Sequence, residues 1–151
     1  MSASINFDGL ISYVSECCLT EELCGKCKED SCIIGYCKKC IITSIKKDDK
    51  FIPGGIDNIP ASDTKVYDDE TVIEAVSYLL HQCRNCNLYH DEECIINIIR
   101  SSLEIILLGE PQEYRGSTLL YLNDIKMINP EVADKILSSF KIIKDSLHKE
   151  G

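Results

Sequence analysis

Apolar residues recur three and four positions apart along most of the chain, the spacing that gathers them on one side of an α-helix. Phe7, Leu10, Ile11, Val14 and Cys18 mark a first helix, after which Thr20 can cap a short turn carrying Glu21 and Glu22 into Cys24. From about Cys32 to Lys47, the residues Ile34, Cys37, Ile41 and Ile45 form one stripe, so the segment is expected to be helical although Gly35 weakens it. Turn formers then take over between Lys47 and Lys65, with Pro53-Gly54-Gly55 and Pro60, and predict a long loop. Beyond it the helical spacing returns. Asp69 is placed to cap a helix running to about Cys83, with Val72, Ile73, Val76, Leu79 and Leu80 inward. Asp91 is placed to cap the next, with Glu92 and Glu93 favouring its positive end and Gly109 stopping it after Leu107-Leu108. Helices near Ser117 and at Asn129-Pro130 complete the chain, the second because proline favours the first helical position.

No stretch alternates as a strand would. The pattern predicts an all-α fold, a single domain built as a bundle of about five helices. Within it, residues 1–47 form a cysteine-rich, partly irregular metal-binding lobe, 48–65 a loop and 66–151 the helical bundle. A chain of 151 residues can bury a substantial core without covalent staples, so small size does not explain its 10 cysteines. They fall in two groups, Cys17 to Cys40 and Cys83 to Cys94. Residues 1–7 lack the basic-then-apolar signature of an export signal, and no apolar run approaches the roughly 18 residues of a membrane span. A cytoplasmic protein is therefore expected, and in reducing cytosol clustered cysteines are more often metal ligands or redox groups than disulfides.

The N-terminal group reads Cys24-x2-Cys27-x4-Cys32-x4-Cys37-x2-Cys40, preceded by Cys17-Cys18. Thiols two residues apart converge on one centre through a tight turn, and an all-thiolate set with no histidine suits an iron–sulfur cluster or a four-thiolate zinc ion. Cys32-x4-Cys37-x2-Cys40 reproduces the spacing core of plant-type ferredoxins, but without the fourth cysteine at its usual distance or the strands of that fold. The second group is Cys83-x2-Cys86 with His90 and Cys94. On one continuous helix these four would spread over roughly 16 Å, too far for one ion, so the helix must break between them. Three thiolates and an imidazole then suit tetrahedral zinc, with His81 a weaker substitute for His90. Cys24-x2-Cys27 leading to Cys32-Ile33-Ile34 is echoed by Cys83-x2-Cys86 leading to Cys94-Ile95-Ile96. The two half-sites could share one centre or hold one each.

Charge narrows the partners. A net charge of −9 gives no general drive toward nucleic acid or anionic lipid, and favours a protein partner with a basic docking patch. Lys38, Lys39, Lys46, Lys47 and Lys50 gather locally and read as a solvated helix face. The chain carries no phosphate-binding loop, no dinucleotide fingerprint, no nucleophile elbow and no zinc-protease motif. Cys83-x2-Cys86 sits at the C-terminal end of its helix, where the dipole opposes a thiolate, and Glu92 and Glu93 oppose one at Cys94. A thiol enzyme is thus disfavoured. The expectation is an iron–sulfur protein that transfers electrons to, or senses redox state for, a larger enzyme, with a zinc-stabilised interaction module as the alternative.

Overall fold

A computed structural model describes residues 7–17, 32–49, 51–61, 67–84, 94–112 and 118–150. Among them lie six helices: α1 (Phe7–Glu16), α2 (Ile33–Lys47), α3 (Asp69–Arg84), α4 (Ile95–Leu108), α5 (Thr118–Ile128) and α6 (Pro130–Glu150). The all-α expectation holds among these residues, with six helices where about five were expected. The only pairing of extended backbone among them is a single antiparallel bridge between Phe51 and Cys94.

Helix contacts explain the layout. α1 packs on α2, α2 on α4, α4 on α3 and α3 on α1, so these four close a ring around a common core. α6 lies along α3, its most extensive neighbour, and α5 folds back on α6. α3 is therefore covered on several sides, and Val72, Ile73, Val76, Leu79 and Leu80 are all buried as their spacing foretold. α4 is buried around its whole circumference from Ile95 to Glu104, its polar Asn97, Arg100, Ser101, Ser102 and Glu104 included.

The helix ends follow from local chemistry. Asp68 opens α3: its carbonyl accepts the Val72 N–H at 3.1 Å and its carboxylate the Thr71 hydroxyl at 2.5 Å, one residue earlier than the cap expected at Asp69. Asn129 caps α6 by accepting the Val132 N–H at 3.2 Å, ahead of Pro130. Gly109 closes α4 with φ 88° and an N–H bond to Ile105 O of 3.0 Å. Asp48 closes α2 in the same left-handed region, φ 51°, which a short polar side chain tolerates.

Two expectations need correction. The inward stripe of α2 runs through Ile34, Cys37, Cys40, Ile41 and Ser44, while Ile45 is 49% exposed, because the face pressed between α1 and α4 is turned toward Cys40 and Ser44. The expected cap Asp91 lies outside the described residues, and α4 begins later than expected, with Cys94 as its N-cap. Cys94 thus precedes the first turn of the helix rather than lying in it. No helix of the described residues is long and apolar enough to cross a membrane.

Candidate functional site

Cys17, Cys32, Cys37 and Cys40 come together where α1 ends and α2 begins. Cys17 follows the last turn of α1, its N–H bonded to Val14 O at 3.0 Å and its Sγ donating to Tyr13 O at 3.6 Å. Cys32 is the N-cap of α2 and shares a 2.7 Å hydrogen bond with the Tyr67 hydroxyl. Cys37 and Cys40 follow on the inner face of that helix, and all four side chains are buried. None of the four is in a disulfide, nor is the half-buried Cys94.

Burial controls the chemistry of these thiols. Cys37 is fully enclosed, and desolvation pushes its pKa far above that of an ordinary thiol; a hydrogen bond with Ser102 on α4 works against the rise, while Cys40, Cys17 and Cys32 add to it. Cys40 is raised by burial too, opposed by the Tyr36 hydroxyl and the charge of Lys39. Tyr36 donates to Gly55 O at 2.6 Å, and burial beside Cys40 and Cys37 also keeps its phenol protonated. Nucleophilic cysteines need a depressed pKa and access. Cys37 and Cys40 have neither.

Among the described residues, no three of His, Cys, Asp and Glu converge as a metal ion requires. The N-terminal thiols are neighbours rather than a ready ligand set. Cys24 and Cys27 lie outside the described residues, as do Cys86 and His90 of the second group, and Cys83 falls in the last turn of α3. His81 is a packing residue: it is buried, stacks on Phe140 with ring centres 4.1 Å apart and bonds Phe140 O at 3.1 Å. Lys39, Lys46 and Lys47 form the exposed face expected of α2, with Lys38 partly covered.

The internal echo has a structural counterpart. Cys32 and Cys94 are both N-caps in extended conformation, φ −98° ψ 137° and φ −66° ψ 139°, and neither makes a side-chain capping bond. Each opens a helix that begins with two buried isoleucines, Ile33-Ile34 or Ile95-Ile96, and the two helices pack on each other. Each is also preceded in the sequence by a C-x2-C pair.

A second polar cluster escaped the sequence reading. On α4, Arg100 Nε donates to Glu104 Oε2 at 3.2 Å, and its guanidinium also donates to Asn97 Oδ1 at 2.6 Å. Glu104 further accepts the Tyr121 hydroxyl of α5 at 2.6 Å and the Gln112 N–H at 2.8 Å. Both charged side chains are 1% exposed. Burial raises the Glu104 carboxyl above its ordinary value, with the Arg100 charge the largest opposing influence, followed by the Tyr121 and Gln112 donors. Arg100 and Glu104 four apart in an isoleucine-rich helix were the available signal. The Tyr121 hydroxyl ties α5 to α4 through Glu104.

Neither a protein-family model, a curated protein nor a solved structure matches the chain.

Proposed function

We propose that this is a metal–thiolate protein with two related ligand sets, each made of a C-x2-C pair and a third cysteine at a helix N-terminus. The observation that carries the reading is the matched placement of Cys32 and Cys94 at the starts of the packed helices α2 and α4. At either position metal binding would displace the thiol proton. In the N-terminal set, Cys24, Cys27 and Cys32 join Cys40 or Cys37 around an iron–sulfur cluster, since the sequence there is rich in thiols and has no histidine. The cluster exchanges electrons with a larger enzyme, toward whose basic patch the acidic surface steers the protein.

The second reading is a zinc-stabilised interaction module without redox activity. It is favoured by the histidine in Cys83, Cys86, His90 and Cys94, a donor set suited to tetrahedral zinc.

Cys32→Ser and Cys94→Ser variants, purified without oxygen and compared with the parent protein, test the proposal. Loss of iron and sulfide from Cys32→Ser, with loss of zinc or of a second cluster from Cys94→Ser, is the expected result. Metal content unchanged in both variants would overturn it.

A further inference from the structure

α1 and α6 each pack on α3 without packing substantially on one another, and the space between them is an open groove of about 720 Å³. Its floor is apolar and aromatic: Tyr13 and Tyr78 stack with ring centres 4.4 Å apart beside Ile73. Ile142 stands at the rim, 70% exposed. Its charged lining is three carboxylates, Glu70, Glu74 and Asp134, against one cation, Lys135, with serines between them. Glu70 of the floor is paired with Lys135 of α6 at 3.1 Å, but Glu74 and Asp134 have no cationic partner among the described residues. A groove between two helices that share a neighbour has the shape that receives an amphipathic helix. The lining asks for one with apolar side chains flanked by cations.

The molecule presents such a helix on a different surface. No residue of α2 lines the groove. Ile42 and Ile45 of α2 are 45% and 49% exposed, and Lys38, Lys39 and Lys46 lie on the same third, roughly, of the helix circumference. This face is locally basic in a chain of net charge −9, whose acidic surface elsewhere repels a second copy. The lengths agree as well. Lys38 to Lys46 rises about 12 Å along the axis, as does Glu70 to Tyr78 along the groove floor.

We propose that the groove receives the outer face of α2 from a second copy of the chain, with Ile42 and Ile45 against the tyrosine floor and Ile142, and the lysines facing Glu74 and Asp134. Donor and acceptor are different surfaces of one molecule, so in the proposed head-to-tail contact each pair leaves one groove and one helix face free. The contact propagates into rings or short filaments rather than stopping at a symmetric dimer.

The test uses two variants of the whole chain, one with the groove reversed in charge (Glu74→Lys with Asp134→Lys) and one with the helix face disabled (Ile45→Ser with Lys46→Glu). All the changed side chains are exposed or close to it, and helicity is checked by circular dichroism. In sedimentation velocity the wild type should associate beyond a dimer as concentration rises, and should do so at least about tenfold more weakly on going from roughly 0.05 M to roughly 0.5 M salt. Each variant alone should stay monomeric, and an equimolar mixture should form a 1:1 dimer and go no further, since one intact helix face then meets one intact groove. A wild type still monomeric at about 0.5 mM would overturn the proposal. So would a variant that keeps associating alone, or a mixture that stays monomeric.

Discussion

Exchanging Arg100 for methionine keeps an unbranched apolar stem and removes the charge from a site where almost no water can replace it. Glu104, 1% exposed, loses its 3.2 Å partner, and Asn97 Oδ1 loses a 2.6 Å donor. Breaking a buried ion pair by removing one member costs about 3–5 kcal/mol. Glu104 retains the Tyr121 O–H at 2.6 Å and the Gln112 N–H at 2.8 Å, so the lower end, about 3 kcal/mol at pH 7, is expected. For a chain of this size that lowers Tm by about 6–12 °C. The loss depends on pH in a definite direction. Burial already holds the folded-state carboxyl above its ordinary 4.5, and without Arg100 it rises further. A carboxyl raised on folding contributes stability that is complete below its unfolded value and is lost as pH climbs through the folded one. The deficit of the variant against wild type should therefore shrink as pH falls from 7 toward 4.5. Urea unfolding followed by circular dichroism at both ends of that range measures it. Arg100→Met combined with Glu104→Gln, which leaves no charge behind, should recover much of the loss at pH 7. A deficit under about 1 kcal/mol at pH 7, or one of equal size at both pH values, would refute the reasoning.

Two further exchanges check the packing around the thiols. A Cβ added at Gly55 would overlap Ile98 Cδ1 and press on Ile52 O, so Gly55→Ala should destabilise by about 1–3 kcal/mol. Adding Ile98→Val, which removes that methyl, should return part of the loss in the same denaturation assay; a strictly additive double variant would contradict the overlap. Ser44 Oγ is buried without a hydrogen-bond partner among the described residues, so Ser44→Ala should raise stability by about 1 kcal/mol, read as a higher urea midpoint at unchanged slope.

The helices were legible because most of them bury one face. The stripe Val72, Ile73, Val76, Leu79 and Leu80 and the stops at Gly109 and Asn129-Pro130 all carry their reasons locally. Helix register was less legible where cysteine and serine share an inner face with isoleucine: α2 turns Cys40 and Ser44 inward and Ile45 outward, a choice made by α1 and α4 together. The start of α4 was misplaced because Asp91 offers ordinary capping chemistry, whereas Cys94 sits at the N-cap with no capping bond and bridges to Phe51. The buried Arg100 and Glu104 were invisible to polarity patterning, which assigns charges to the surface; only tertiary burial of α4 on every side draws them in. Of the thiols, sequence spacing identified the groups. It could not show that Cys17 joins Cys32, Cys37 and Cys40, since that meeting depends on how α1 packs on α2.

The central claim is that these cysteines bind metal. Metal and acid-labile sulfide analysis of the whole chain, purified without oxygen and accompanied by a visible spectrum, tests it most directly. The account predicts iron with matching sulfide and broad absorption near about 400 nm, while zinc without sulfide would select the interaction-module reading instead. Protein that folds and carries neither metal would contradict it, and would make the buried thiols packing residues.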